Sequence, residues 1–348
     1  YWIYSIGNYV HKTLDTAPTV LKDIGLDAKV VENNSETKEL IILVVGETAR
    51  ADRFSLNGYS KETNPLLKQE NIVSFTNMYS CGTSTAHSVP CMFSIFPKDE
   101  YTYKKGASTK NVLDVLNNTQ DVAILWRDNN SDSKGVALRV DYEDFQTPKT
   151  NSICDEECRD EGMLVGLEDY IEKNKNKNIL IVLHQMGNHG PAYYKRYPKE
   201  FEKFTPVCKT NQLENCTKEE ISNAYDNAIL YTDYFLSKAI NFLKKYSNTH
   251  EAGLLYVSDH GESLGENGIY LHGMPYAIAP KAQTHVASLI WLDNGQMAHE
   301  YDINKIKQNK DKEYSHDNLF DTLLGLFEVK TEVYKKELDI LNEARKED

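Results

Sequence analysis

The sequence of 348 residues lacks several features that would each indicate a particular class of protein. No apolar run approaches the roughly 20 residues that a membrane-spanning helix needs. Positive charge is not in excess, and a formal net charge of −13 argues against nucleic acid as a partner. With 40% hydrophobic and 26% charged residues, the composition is instead typical of a soluble globular protein.

The cysteines include no Cys-x-x-Cys motif, so neither a zinc ribbon nor a thioredoxin-like redox site is indicated. The six cysteines fall into three pairs that are close in the sequence, each around a polar, loop-like stretch. Pairing of sequence neighbours predicts the disulfides Cys81–Cys91, Cys154–Cys158 and Cys208–Cys216. Three small disulfide-closed loops indicate an oxidising compartment such as the periplasm, and the alternative is free buried thiols.

Apolar runs of strand length alternate with helical segments along the chain, which predicts an α/β fold with a largely parallel central sheet flanked by helices. The clearest of these runs are 40–45, 122–126, 179–183, 254–257 and 286–292. We predict a single catalytic domain at 39–330, because no linker or repeat divides it. A connector at 1–38 precedes this domain, and a charged, peripheral tail at 331–348 follows it.

Metal-competent side chains follow the run at 254–257. Asp259 and His260 come directly after it, and His272 lies beyond a glycine-rich loop. Carboxylate oxygen and imidazole nitrogen together are suited to zinc or manganese. The alternative is a polar strand end followed by a solvated loop.

Two other strands end in the same kind of residue. Glu47 follows the run at 40–45, and His184 and His189 follow the run at 179–183. Because ligands of α/β sheets bind outside the carboxyl ends of the strands, we expect these side chains to meet Asp259 and His260 there. The alternative for Glu47 alone is an ion pair with Arg50 or a helix cap.

Hydroxyl and polar residues supply two further candidate features. The stretch from Cys81 to Cys91 is rich in Ser and Thr and leads into a helix, where backbone N–H groups form an anion site. A hydroxyl there becomes a nucleophile if a metal lowers its pKa, and the alternative is a plain N-cap. The residues alone do not choose among Thr83, Ser84, Thr85 and Ser88. Farther along, Asn130 and Lys134 suit a phosphate or polar head group, or a solvated turn.

Taken together, these stretches resemble the phosphoethanolamine transferases of Gram-negative bacteria, including the mobile colistin-resistance enzymes. The similarity covers nearly all of 40–327. The matching motifs are GETARADRFSLNGY at 46–59, SCGTSTAHSVPCMFS at 80–94, WRDNNSDSKG at 126–135, ECRDEGMLVGL at 157–167, LHQMGNHGPAYYKRYP at 183–198, FTPVC at 204–208 and SDHGESLGENGIYLHGMPYAIAP at 258–280.

The resemblance implies an alkaline-phosphatase/sulfatase-like fold and a role for each candidate residue. Thr85 matches the family's nucleophile. The zinc ligands that it implies are Glu47, Thr85, Asp259 and His260. The residues that it places at the substrate phosphate or head group are His189, His272, Asn130 and Lys134, and the two histidines are alternatively ligands of a second zinc. His184 has only a supporting role.

The resemblance also implies a reaction and a location. The enzyme would move phosphoethanolamine from phosphatidylethanolamine, through a covalent Thr85 intermediate, to lipid A or another envelope acceptor. One tightly bound zinc ion is expected, and a second is left open. The expected protein is a monomer of the inner membrane, held there by an N-terminal transmembrane domain, with this catalytic domain in the periplasm.

Three other functions compete with this prediction. A phosphomonoesterase or glycerol-phosphate transferase would use the same threonine and metal. A catalytically inactive, zinc-stabilised ectodomain would bind lipid without turnover. A sulfatase needs Cys or Ser in a CxPxR-type context for its formylglycine, and neither Cys81 nor Cys91 has one.

Overall fold

The computed structural model describes residues 20–31 and 37–346. Most of the predicted connector at 1–38 therefore lies outside the described residues. The strands are β1 (Lys29–Val30), β2 (Lys38–Gly46), β3 (Ile72–Tyr79), β4 (Val122–Asp128), β5 (Asp141–Asp144), β6 (Asn178–His184), β7 (His250–Ser258), β8 (Ser263–Leu264), β9 (Tyr270–Leu271), β10 (His285–Leu292), β11 (Tyr314–Ser315) and β12 (Val329–Lys330). The α-helices are α1 (Thr85–Met92), α2 (Tyr103–Ala107), α3 (Val112–Asn118), α4 (Leu167–Lys173), α5 (Lys218–Leu243), α6 (Lys281–Thr284), α7 (Met297–Glu300), α8 (Ile303–Asn309) and α9 (Leu319–Leu326).

In the described part of the chain, eight strands form the central sheet in the order β11-β3-β10-β7-β2-β6-β4-β5. Strand β10 runs antiparallel to both of its neighbours, β3 and β7. All other pairs in this sheet are parallel. The prediction of an α/β fold with a largely parallel sheet is confirmed.

Strand β2 shows why the sequence run at 40–45 is continuously apolar. Every residue of the run is fully buried. Ile41, Leu43 and Val45 pack into the core on one face of the sheet. Leu40 and Val44, with Ile42 between them, pack into the core on the other face. A parallel strand that is covered on both faces needs apolar residues at consecutive positions rather than alternate ones.

Helix α5 covers one of these faces. It begins at a capping box in which the Thr217 side chain accepts from the backbone N–H of Glu220, and the Glu220 side chain accepts from the N–H of Thr217. Its apolar stripe, which includes Ile221, Ile229 and Leu236, packs against the sheet. No helix among the described residues has both the length and the apolar character of a membrane span.

The C-terminal segment differs from the prediction of a peripheral tail at 331–348. Leu341 and Ala344 are buried in the core, beside residues of α9. Arg345 donates to the carbonyl oxygen of Gly325 at 2.7 Å. The prediction was wrong because the frequent charges of this segment mask a few apolar positions that fill the space next to α9. At the other end of the chain, β1 pairs with β12, so residues 29–30 also belong to the folded domain.

All three predicted disulfides are present: Cys81–Cys91, Cys154–Cys158 and Cys208–Cys216. Each closes a short surface or site-flanking loop, as the sequence spacing indicated. The first is the most relevant to the site, because it brackets the start of α1.

Candidate active site

The ends of β2 and β7 bring the first metal-competent residues together. These strands are parallel neighbours, and Gly46 at the end of β2 is paired with Ser258 at the end of β7. Glu47 and Asp259 are therefore side by side where the two strands end. Potential ligand atoms of Glu47, Asp259 and His260 lie within 4.8 Å of one another, and all three residues are fully buried.

Thr85, the first residue of α1, completes this cluster. Its hydroxyl donates to Glu47 Oε2 at 3.0 Å and lies 3.3 Å from His260 Nε2. The neighbouring hydroxyls are engaged elsewhere. Thr83 donates to the carbonyl oxygen of Met274, and Ser88 accepts from the backbone of Gly82. Ser84 occupies the N-cap position without a side-chain cap hydrogen bond to the described residues.

His260 and Asp259 each direct one atom into the cluster. His260 Nδ1 lies 2.9 Å from the carbonyl oxygen of Gly261, so it carries a hydrogen, and Nε2 is the ring nitrogen that faces Thr85. Asp259 Oδ1 accepts from the backbone N–H groups of Thr48 at 3.1 Å and His260 at 2.7 Å. Asp259 Oδ2 is buried with no hydrogen-bond partner among the described residues.

The electrostatics of the cluster favour a bound cation. Burial and repulsion from Glu47 raise the pKa of Asp259 to about 6. Burial opposes protonation of His260, yet Asp259 and Glu47 raise its pKa to about 10. Burial also opposes ionisation of Glu47, but the hydrogen bond and charge of His260 hold its pKa well below the usual range. Two buried carboxylates therefore need positive charge beside them, and a divalent cation would supply it in place of a proton.

The donor set fits zinc in particular. Zinc accepts imidazole nitrogen and carboxylate oxygen as ligands, usually four in number. Glu47, Asp259 and His260 supply two carboxylates and one imidazole, and the neighbouring Thr85 hydroxyl supplies the fourth donor atom. Such an ion would also give a partner to Asp259 Oδ2, which accepts no hydrogen bond from the described residues.

Asn130 contacts this cluster directly, and Lys134 is linked to it through other side chains. Asn130 Nδ2 donates to Glu47 Oε2 at 2.7 Å and to the carbonyl oxygen of Gln185 at 2.8 Å. Lys134 Nζ donates to Ser131 Oγ at 2.8 Å, and Ser131 Oγ donates to Asn130 Oδ1 at 2.7 Å. Lys134 is thus connected to Glu47 through two intermediate side chains.

His272 and His189 border the cluster on another side. The His272 ring centroid is 4.2 Å from that of His260 and 6.1 Å from that of His189. Arg196 fixes the backbone of His189 by donating to its carbonyl oxygen at 2.6 Å. Burial lowers the pKa of His189 and so favours the neutral imidazole. Only the neutral form has a nitrogen lone pair that can bind a metal ion or accept a proton.

His184 ends β6 and is fully buried. Its Nδ1 lies 2.9 Å from Asp128 Oδ2, which also accepts from the indole N–H of Trp126 at 2.9 Å. Burial acts against the charged form, but Asp128 raises the pKa of His184. Among the described residues, no hydrogen bond joins His184 to Thr85, and its supporting role stays a prediction.

Sequence reasoning assigned no role to two buried carboxylates that shape this site. Glu262 is fully buried, and its two oxygens contact His272 Nδ1 at 3.0 Å and the Tyr193 hydroxyl at 2.9 Å. Glu262 lies three residues after Asp259 in the same motif. That closeness in the sequence could have indicated a role at the site.

The second carboxylate, Asp160, accepts four hydrogen bonds. The donors are the side chains of Asn129 and Gln185 and the backbone N–H groups of Met186 and Gly187. It thereby holds the turn that leads to His189. Its place in the 157–167 motif gave no indication of that partner set, because the turn is far away in the sequence.

Comparisons with known proteins cover the whole of the domain that carries this site. The family model described as "Sulfatase" matches residues 39–329. Phosphoethanolamine transferase EptA of Escherichia coli K12 is 47% identical over 343 residues, which are 97% of this chain and 62% of that protein. The chain thus spans less than two thirds of the length of this curated relative.

Two solved structures match along nearly their whole length. The soluble domain of lipooligosaccharide phosphoethanolamine transferase A from Neisseria meningitidis is 40% identical, with a TM-score of 0.91. The match covers 95% of this chain and 100% of that domain. The C-terminal periplasmic domain of phosphoethanolamine transferase EptC from Campylobacter jejuni is 46% identical, with a TM-score of 0.82 and coverages of 93% and 98%.

Proposed function

This chain belongs to the phosphoethanolamine transferases of the sulfatase family, and we propose that it transfers phosphoethanolamine by way of Thr85. The donor is phosphatidylethanolamine, and the acceptor is lipid A or another component of the cell envelope. One observation carries the proposal: the Thr85 hydroxyl lies within hydrogen-bond distance of both Glu47 and His260, in a buried cluster that fits zinc. The chain would act in the periplasm, attached to an inner-membrane domain.

The residues that would hold the zinc ion are Glu47, Thr85, Asp259 and His260. When bound, zinc supplies positive charge that lowers the pKa of a neighbouring hydroxyl by several units and so makes an alkoxide accessible. The protein contributes the orientation. Thr85 donates its only hydrogen to Glu47, which leaves one oxygen lone pair for the zinc ion and one for attack on phosphorus.

The transfer needs two displacements at phosphorus. In the first, Thr85 Oγ forms a bond to phosphorus, the bond from phosphorus to the glycerol oxygen breaks, and diacylglycerol leaves with the proton that the threonine gave up. In the second, an acceptor oxygen forms the new bond to phosphorus. The bond to Thr85 then breaks, and the proton of the acceptor returns to the threonine.

We assign four side chains to the phosphoryl group. His189 and His272 border the cluster, and Asn130 donates directly to Glu47. Lys134 is connected through Ser131. We propose that donors and positive charge from Lys134, His189 and His272 offset the negative charge that develops on the phosphoryl oxygens. Asn130, whose two amide hydrogens are donated to Glu47 and Gln185, would orient the carboxylate beside them. A histidine with a neutral imidazole at rest can shuttle the proton between threonine and leaving group.

Intact-mass measurement of the full-length protein with phosphatidylethanolamine vesicles tests the proposal. The expected result is one phosphoethanolamine adduct, lost in Thr85→Ala and retained in Thr83→Ala. Thr83 is the matched control because its hydroxyl bonds the carbonyl oxygen of Met274 instead of the cluster. An adduct that persists on another residue would overturn the nucleophile assignment. Release of free phosphoethanolamine without an acceptor would indicate a hydrolase, and binding without any adduct would indicate an inactive ectodomain.

A further inference from the structure

A buried histidine outside the proposed catalytic cluster contacts both segments that carry the cluster's residues. His316 follows β11 and is the first residue of the short 3-10 helix His316–Asn318. Its ring is buried, and each nitrogen has one backbone partner. Nδ1 lies 3.0 Å from the backbone nitrogen of Cys81, and Nε2 lies 2.9 Å from the carbonyl oxygen of Ser258.

These two partners lie directly beside the reacting residues. Cys81 opens the disulfide-closed loop that carries Thr85 at the start of α1. Ser258 is the last residue of β7 and precedes Asp259, and its hydroxyl accepts from the backbone N–H of Ala49 at 2.7 Å. His316 therefore contacts the loop of the nucleophile on one side and the strand of the metal ligands on the other.

The sheet itself does not make this connection. Strand β10 lies between β3 and β7, so among the described strands no ladder of backbone hydrogen bonds joins β3 directly to β7. The loop after β3 and the residues after β7 must still hold Thr85 about one hydrogen bond away from His260. The imidazole of His316 makes that direct connection, because it is hydrogen-bonded to Cys81, in the loop after β3, and to Ser258, at the end of β7.

The chemistry of the two partners determines the form of the imidazole. The Cys81 N–H can only donate, so Nδ1 accepts, and the Ser258 carbonyl can only accept, so Nε2 carries the hydrogen. Burial lowers the pKa of His316 to about 4, which keeps this neutral tautomer at neutral pH. A charged imidazole would lose the acceptor that Cys81 needs.

We propose that His316 is a positioning residue that sets the separation between the Thr85 nucleophile and the metal-binding end of β7. The inference rests on the proposed function for its catalytic consequence. Misplacement of a reacting group by 1 Å costs about 100-fold in rate, so loss of either hydrogen bond slows transfer even when the fold survives.

Two substitutions each remove one of the two hydrogen bonds and keep the other. In His316→Gln, the side-chain amide reaches the position of Nε2 and still donates to Ser258, but the acceptor for Cys81 is lost. In His316→Asn, the shorter amide reaches the position of Nδ1 and still accepts from Cys81, but the donor to Ser258 is lost. His250→Gln is the matched control, because His250 is a buried histidine at the opposite end of β7.

The experiment measures zinc affinity by chelator competition, adduct formation with phosphatidylethanolamine vesicles, and thermal unfolding, all on the full-length protein. His316→Gln should keep the zinc affinity of the wild type and form the adduct about 100-fold more slowly. His316→Asn should lose zinc affinity by about 10-fold or more, because it frees the strand end that carries Asp259 and His260. His250→Gln should match the wild type in both.

Three outcomes decide the matter. Wild-type adduct rates in both variants, normalised to folded protein, would overturn the inference. Equal losses of zinc affinity and rate in the two variants would also overturn it, since they would show a merely structural role. If the wild type forms no adduct, the proposed function fails, and the difference in zinc affinity between Gln and Asn still decides whether His316 positions the end of β7.

Discussion

Replacing Glu262 with glutamine should slow transfer while leaving the fold intact. Glu262 contacts His272 Nδ1 and the Tyr193 hydroxyl through its two carboxylate oxygens. A carboxylate can only accept, so it fixes the hydrogen of His272 on Nδ1 and leaves the Nε2 lone pair available. In Glu262→Gln, the amide NH2 group can donate to Nδ1 instead. The His272 hydrogen then moves to Nε2, the atom available to the phosphoryl group or a second metal ion.

The size of the effect follows from the one charge-assisted hydrogen bond that the amide cannot reproduce. Such bonds contribute about 1.5–3 kcal/mol each. Loss of a comparable hydrogen-bond partner of a metal-binding histidine lowers metal affinity or activity by about 10- to 100-fold. For activity, this corresponds to about 1.4–2.7 kcal/mol of transition-state free energy. Glutamine is nearly isosteric with glutamate, and its oxygen still accepts from Tyr193. We therefore expect kcat/KM to fall within this range and the folded structure to persist.

The assay follows phosphoethanolamine transfer by the full-length protein, with zinc content and thermal unfolding measured on the same preparations. Glu39→Gln is the matched control. Glu39 is also buried, but it lies at the start of β2, about 26 Å from the site at roughly 3.3 Å per residue. Burial raises its pKa to about 8, so glutamine mimics the protonated form that prevails at neutral pH. A Glu262→Gln enzyme with wild-type kcat/KM would refute the reasoning, as would an equal loss in Glu39→Gln.

Three further predictions concern stability. Chelation of zinc should lower the unfolding free energy by about 4 kcal/mol relative to protein in free zinc at a thousand times Kd, and an unchanged thermal midpoint would contradict the metal assignment. Leu341→Ala should cost about 2–5 kcal/mol in urea unfolding, whereas Leu138→Ala, at a side chain that is 74% exposed, should cost little. The folded pKa of His316, about 4, lies below its ordinary value of 6.5, so the unfolded chain binds this proton first. Its contribution is complete above about pH 6.5 and decreases by about 3 kcal/mol as pH falls to about 4. The unfolding free energy of His316→Gln, measured in urea, should lack this part of the pH dependence. A pH profile identical to that of the wild type would contradict the assignment to His316.

Local patterns in the sequence determined the strands and the edge of the sheet where the site lies. The run at 40–45 is apolar at every position because both faces of β2 are covered, and that composition is visible without coordinates. Polar residues directly after such runs must lie at the carboxyl end of the sheet. This rule alone brought Glu47 and Asp259 together, and the pairing of Gly46 with Ser258 confirms it.

Only the tertiary structure decided which distant residues touch. From the residues alone, four hydroxyls between Cys81 and Cys91 were equivalent, and the family resemblance, not the spacing, selected Thr85. The structure places its oxygen next to Glu47 and directs the hydroxyls of Thr83 and Ser88 elsewhere.

The same limit explains the tail and the buried partners. Charges at 331–348 hid Leu341, whose burial depends on the space beside α9 rather than on its neighbours in sequence. Glu262 and His316 are defined by what they bond, and for His316 those partners are 235 and 58 residues away. Hydrophobic periodicity reports only whether a residue faces a core. The partners of a buried polar group are set by the packing of whole elements, so the folded chain alone fixes them.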